Sequence, residues 1–366
     1  MTIFYVLAAL VLLGILVTVH EWGHFIAARM TGIPVREYSI GFGPLLKTWQ
    51  SKKHETVFSV RLIPAGGFCA FYGEDDPDDA ADDDPRAMSH FSVWKRLLVV
   101  FMGPMMNFVL AFLVGFGFYF CSGVTAVEYG KMRIESVNAG SVADLAGFEA
   151  GDYIVSVNGT DAAGLNDEGT GYRAIQLINA YQAGDEPLTV IVDRGGEEVT
   201  LSVTPVADSS GTMMIGVMIS PEIIRQEQVQ TGVLQSARLS FQLCVLEGRA
   251  ILDALRELVS TGRNLSQMSG PVGVISVVAD QTRSYGFTAY LELLIMISVN
   301  LGLVNLLPIP GLDGSQIVIL LIEAIRRKPM HRKLEAYIKM AGFAALMLLF
   351  VVLTFHDVLN LIGGVG

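Results

Sequence analysis

The residues best suited to chemistry stand at one end of an apolar run, His20-Glu21-Trp22-Gly23-His24. On a helix, residues four apart share a face, so both imidazoles can grip one zinc ion while Glu21 sits beside them to handle a proton. Two histidines leave a catalytic zinc one protein ligand short, because such sites carry three and keep a fourth position for water. The candidate for the third is Asp313, in the run Asn305-Leu-Leu-Pro-Ile-Pro-Gly-Leu-Asp313-Gly314. Each motif also has a plainer reading. Asp313 could be the N-cap of the next helix, and the polar cluster at 20–24 could simply mark the end of a membrane span.

The elements that must position these residues are membrane-length. Of 366 residues, 52% are apolar and 17% charged, against roughly 45–50% and 25% in an ordinary soluble domain, so lipid is part of the solvent. The net charge of −11 shows no clustered cationic face and excludes a nucleic-acid binder. Cys69, Cys121 and Cys244 are too few and too scattered for a disulfide framework or a zinc–cysteine cluster. Four spans are expected: residues 1–30, 96–121, 289–314 and 341–366, the third carrying the Asp313 motif at its end. A cleaved signal peptide fits the first poorly, since the first charge is Glu21 and no small-residue cleavage site follows.

Depth arithmetic brings the two motifs together. At ~1.5 Å per residue, His20 lies ~26 Å inward from residue 3, and Leu307 ~27 Å inward from residue 289, just before Pro308 and Pro310 break the helix. Orientation follows from the basic residues Arg326, Arg327, Lys328, Arg332, Lys333 and Lys339, which assign the segment 315–340 to the cytoplasm. Counting back, residues 31–95 are cytoplasmic as well and 122–288 lie outside. The outer stretch 122–230 carries 16 acidic and 5 basic residues, and so lacks the retention signal.

Residues 122–220 contain a soluble domain. A strand is expected at Ile134–Val137, a short helix at Ser141–Gly147, a strand at Ile154–Val157, a tight turn at Asn158-Gly159, and a hairpin formed by Leu188–Val192 and Val199–Val203 across Arg194-Gly195-Gly196. Residues 141–159, SVADLAGFEAGDYIVSVNG, resemble the part of a PDZ domain in which a short helix leads to a Gly-Asp turn and a strand. Within the connector 221–288, apolar residues such as Leu239, Leu243, Leu246 and Leu255 recur at helical spacing. They predict an amphipathic helix on the outer face of the membrane or on the PDZ-like domain. The cytoplasmic segment divides into β-rich runs at 35–72 and an acidic run, Glu74–Asp84, with eight carboxylates in eleven positions. Its spacing lacks the central glycine and terminal glutamate of a calcium loop, so a solvated linker is the better reading.

The paired metal motifs and the external PDZ-like segment together resemble the bacterial site-2 proteases, in particular the single-PDZ members of the regulator of sigma-E protease group. Further matches are Ser39-Ile-Gly-Phe-Gly-Pro44, Pro64-Ala-Gly-Gly67, Gly103-Pro-x-x-Asn107 and Ser269-Gly-Pro-Val-Gly273. The acidic run departs from the family's pattern. The resemblance implies a polytopic α-helical membrane protein with four transmembrane helices, a membrane-associated β element at 35–72, and one extracytoplasmic PDZ-like α+β domain. It also implies that His20, His24 and Asp313 bind Zn2+ and that Glu21 is the general base. Asn107 is in the family a substrate or transition-state contact; a helix-packing residue with an interhelical hydrogen bond is the alternative. Asn305 is treated likewise.

The function so implied is intramembrane cleavage of single-span membrane proteins, such as anti-sigma factors or remnant signal peptides, after a first extracytoplasmic cut by an upstream site-1-type protease. The expected setting is the bacterial plasma membrane, with the active site near the cytoplasmic side. A substrate helix must unwind before it can be cut, and the β element offers a sheet edge to pair the freed backbone. Two rival classes are a catalytically silent membrane PDZ scaffold, which leaves the intact ligand set and base unused, and a transporter, which leaves the H-E-x-x-H pattern unexplained.

Overall fold

The computed structural model describes residues 2–51, 55–73, 84–165, 171–207, 212–261, 270–328, 330 and 332–363. They form two units, residues 1–122 together with 231–366, and residues 123–230 inserted between them. Most of the acidic run, residues 74–83, lies outside the described residues.

In the first unit, α1 (Thr2–Thr31) is followed by the strands β1 (Val35–Gln50) and β2 (Val57–Phe71), a single turn of 3-10 helix at Met88–His90, and α2 (Val93–Ser122). The expected β-rich runs are thus parts of one long antiparallel pair with several register shifts. Residues 37–40 have partners on both sides: Ile40 pairs with Gly67 and with Val60, and Tyr38 with Cys69 and with Phe58. Aromatic side chains fix this layer to α1. Phe25 packs against Trp22, Tyr38 and Phe58, and the Tyr38 hydroxyl donates to Thr18 O at 2.9 Å. Phe42, Leu45, Leu46, Trp49, Leu62 and Ile63 are exposed.

The second unit contains β3 (Val124–Val137), α3 (Val142–Ala146), β4 (Tyr153–Val157), β5 (Thr160–Asp161), α4 (Arg173–Asn179), β6 (Leu188–Arg194), β7 (Glu197–Val203), β8 (Val206–Ala207), β9 (Met213–Met214) and β10 (Val217–Val229). The main sheet runs β10-β3-β4-β6-β7, with β5 on β4 and a separate β8–β9 pair. Ser141 caps α3 by accepting from Asp144 N, as its place before the helix requires. Asn158 and Gly159 both take positive φ, the backbone twist that a two-residue hairpin turn needs. Met132, Ile134, Ile154, Val157, Val190 and Val192 fill the core. The Gly-Asp turn is locked by Arg194, whose guanidinium donates to both Asp152 oxygens, to Glu149 and to Gly147 O. Burial pushes the Asp152 carboxyl up, but the bonds from Arg194 outweigh it and hold the group below the usual carboxylate range. This unit ends at Gln230, beyond the expected boundary at 220. The extra residues belong to β10, whose polar stretch becomes a strand only by pairing with β3.

The chain then returns to the first unit through α5 (Val233–Thr261), α6 (Pro271–Asn305), α7 (Asp313–Arg326) and α8 (Arg332–Gly363). Helix α5 packs lengthwise on α2 and α6. Thr231, just before it, donates to Tyr119 O, Ser240 donates to Phe112 O, and Gly248 lies against Val299 and Leu303. On its packed face Ser236 and Ser240 are buried, and Leu243, Cys244 and Ile251 pack against Ala111 of α2 and Ile295 and Val299 of α6, while Leu246 is exposed. In lipid the hydrophobic effect does not bring helices together. Close approach of small residues and interhelical hydrogen bonds do. Helix α6 is broken at the non-helical Gly286, and the third span expected from residue 289 corresponds to its second half. Among the described residues, four helices are long and apolar enough to cross a membrane: Ile3–Thr31, Val93–Ser122, Pro271–Asn305 and Leu334–Asp357.

Candidate metal centre

Helix α1 delivers both histidines, and both are buried. His20 Nε2 and His24 Nε2 stand 3.3 Å apart, as residues one turn apart on a helix allow. Asp313 arrives from a different direction. Helix α6 stops at Asn305, residues 306–312 turn through Pro308, Pro310 and Gly311, and α7 begins on Asp313 itself. Its carboxylate makes no capping bond, since the N-cap position belongs to Leu312 and has no side-chain bond. It faces the histidines instead, with Oδ2 at 3.0 Å from His20 Nε2 and 3.5 Å from His24 Nε2.

The triangle can be tested against a metal. Ligand atoms held ~2.0–2.1 Å from a tetrahedral zinc stand about 3.3 Å from one another, the edge of the coordination tetrahedron. The observed edges of 3.0, 3.3 and 3.5 Å bracket that value. Asp313 Oδ2 is buried without a hydrogen-bond partner of good geometry, the condition of an oxygen aimed at an ion rather than at a donor. Two imidazoles and one carboxylate form the donor set expected of zinc. Among the described residues this is the one group of three or more such side chains close enough to share an ion.

The three side chains open into a cavity of about 470 Å³, also lined by Glu21, Phe42, Gly66, Gly67, Phe68, Cys69, Met88, Asn305 and Gln316. Glu21 thus faces the same space as the ligand atoms, and its carboxylate takes a hydrogen bond from the Cys69 backbone of β2. Of the two asparagines singled out in the sequence, Asn305 lines this cavity, whereas Asn107 is fully buried behind His20, with Nδ2 at 3.1 Å from His20 Nδ1. His24 is held from the same helix, its Nδ1 donating to Val99 O at 2.9 Å.

Helix α2 therefore backs the centre at Val99, Gly103 and Asn107, positions four residues apart on one face. Gly103 is required by space, since a Cβ there would fall 2.3 Å from the His24 ring, and one on Gly23 would fall 2.1 Å from Met102 O. The two glycines let α1 and α2 cross closely enough for α2 to touch both imidazoles. The spacing of Gly103 and Asn107 was visible in the sequence. The Val99 carbonyl, Met88 and Gln316 carried no signal there.

Residues 8–349 match the profile of peptidase family M50. The chain belongs to peptidase family M50. It is 30% identical to the regulator of sigma-W protease RasP of Bacillus subtilis, over 97% of this chain and 98% of that one. The zinc metalloprotease RasP of Bacillus licheniformis is also 30% identical, over 97% of this chain and 99% of its own. With the four apolar helices, membership makes the chain a multi-pass membrane zinc metalloendopeptidase of the site-2 protease type.

Proposed function

We propose that this M50 peptidase cuts single-span membrane proteins, such as anti-sigma factors or remnant signal peptides, after an upstream site-1-type protease has made a first extracytoplasmic cut. The observation that carries the reading is the zinc-sized triangle of Asp313 with His20 and His24, which lie within the second half of a membrane-length helix, with Glu21 facing the same cavity. A relative named for sigma-W regulation supports the substrate class. A zinc held by the triangle supplies a Lewis acid that polarises a peptide carbonyl and lowers the pKa of its water to roughly 7. Glu21 takes the proton of the attacking water and returns it to the leaving amine. Asn305, on the cavity wall, contacts substrate.

Before that step the substrate helix unwinds, and its freed backbone pairs with the edge of β2 near Gly67 and Cys69, where the sheet meets the cavity. The exposed apolar side chains of β1 and β2 suit a membrane-associated element. We place the enzyme in the bacterial plasma membrane, with the active site near the cytoplasmic side and the inserted unit, read as PDZ-like, outside. Tethered between α2 and α5, that unit is a size filter that refuses untrimmed ectodomains.

The test measures zinc in the purified full-length chain and in its Asp313→Ala variant, with cleavage of a labelled transmembrane segment. About one zinc per parent chain, lost in the variant together with cleavage, is expected. Undiminished zinc in Asp313→Ala removes Asp313 from the site. Zinc without cleavage of any transmembrane segment favours the silent scaffold.

A further inference from the structure

We infer that Asn107 is a positioning residue for the metal centre: its amide oxygen accepts the Nδ1 proton of His20 and so keeps His20 Nε2 free to bind the ion. The inference rests on reading His20, His24 and Asp313 as zinc ligands.

A neutral imidazole carries one proton, and a nitrogen that binds a metal cannot hold it. In both histidines the nitrogens that converge on Asp313 are Nε2, so the proton belongs on Nδ1 in each. For His24 the partner is a carbonyl, Val99 O at 2.9 Å, which can only accept. For His20 the partner of Nδ1 is the side-chain amide of Asn107, whose nitrogen Nδ2 stands 3.1 Å away. Two N–H groups facing each other satisfy neither. Meanwhile Asn107 Oδ1 is buried with no hydrogen-bond partner. Turning the amide by half a revolution places Oδ1 on His20 Nδ1, and the two amide atoms are nearly indistinguishable in shape, so the turn costs no volume. The rotated amide gives the orphaned oxygen a donor and fixes the tautomer, and Nδ2 takes the buried position that Oδ1 held.

The surroundings are built to hold that amide. Asn107 is fully buried and does not line the cavity, so a substrate cannot reach it while the helices stay packed. Ser298 of α6 donates to Asn107 O at 2.8 Å, pinning the backbone of α2 at this turn. Val99 and Asn107, eight residues apart on one face of α2, meet His24 and His20, which are four residues apart on α1, with Gly103 clearing the space between. A single helix thus orients both imidazoles through their outer nitrogens. Such outer hydrogen bonds typically carry 10- to 100-fold in metal affinity.

The test compares zinc affinity, by chelator competition, in the full-length parent and in Asn107→Leu and Asn107→Asp, together with kcat and KM on one model substrate. Leucine keeps the volume and removes the acceptor; aspartate keeps an acceptor at the same place. The expected result is a ~10- to 100-fold loss of zinc affinity in Asn107→Leu and affinity within about threefold of the parent in Asn107→Asp. Asn107→Ala, which inserts no bulk, carries the same comparison if the leucine variant folds poorly. Unchanged zinc affinity in Asn107→Leu with a raised KM would make Asn107 a substrate contact and overturn the inference. Equal losses in the leucine and aspartate variants would overturn it too, because the acceptor would then not be what matters. A parent chain that binds no zinc defeats the ligand reading itself, which separates the two failures.

Discussion

Glu21 differs from its two histidine neighbours in what it faces. His20 and His24 point their Nε2 atoms at Asp313, whereas Glu21 reaches the cavity beside β2 and takes a backbone hydrogen bond from Cys69. A group outside the ligand triangle can be exchanged without disturbing the ion. Glu21→Gln should therefore retain zinc at the parent's stoichiometry and lose cleavage by ~10²- to 10⁴-fold, the usual worth of a general base, because the amide fills the same volume but accepts no proton. Metal analysis and a cleavage assay on the same preparation check it. Cleavage within about threefold of the parent would remove Glu21 from the base role.

At the scale of elements, the centre depends on how closely α1 and α2 cross. There is no room for even one methyl group at Gly103, where an added Cβ would sit 2.3 Å from the His24 ring. Protein interiors are close-packed, so such a clash is relieved by shifting the side chain that gives most easily. Here that is the imidazole, held by Val99 O on one side and Asp313 on the other. Gly103→Ala is expected to lower zinc affinity by about tenfold or more while the four spans still insert, read by chelator competition and by protease protection of the membrane-inserted chain. The same substitution at Gly117 of the same helix, where nothing stands within 4 Å of an added Cβ, should leave zinc affinity unchanged. If Gly103→Ala binds zinc like the parent, the crossing is looser than this packing implies.

For the whole molecule, the inserted unit enters and leaves at one point. Its first and last strands pair along their length, Val124 opposite Val229, so the chain ends at 123 and 230 lie about one strand spacing apart, ~5 Å. Beside them Thr231 donates to Tyr119 O, tying the start of α5 to the end of α2 independently of the insert. Replacing residues 123–230 by a short Gly/Ser linker should therefore leave the zinc centre intact. If the insert is a size filter, the shortened enzyme cuts untrimmed substrate that the parent refuses. If it is a receptor for a newly exposed carboxyl terminus, even trimmed substrate is cut poorly. Unchanged rates on both substrates would exclude each role. Zinc content reports whether the remaining unit has folded.

The sequence by itself determined whatever depends on local pattern: the four apolar spans, the two histidines one turn apart, and the prolines that end α6 before Asp313. It also determined the turn at Asn158-Gly159 and the capped α3, because side-chain types at fixed offsets dictate these whatever surrounds them. Residues far apart in the chain were legible only as depth. Arithmetic along two helices brought His20 and Asp313 to one level, but the angle at which Asp313 approaches came from the turn at 306–312. Tertiary structure alone decided the rest. The stripe of leucines in α5 suggested a surface helix, yet Ser236 and Ser240 are buried and Leu243 packs on α2 and α6, because the hydrogen bond from Ser240 to Phe112 O and the facing apolar residues are set by the partner helices. The polar half of β10 had no strand pattern of its own and became one by pairing with β3. Asn107 likewise read as a substrate contact or a packing residue, and only the crossing of α1 and α2 set it against His20. Each of these outcomes is a contact between distant segments, and a chain's local pattern carries no term for the partner it has yet to meet.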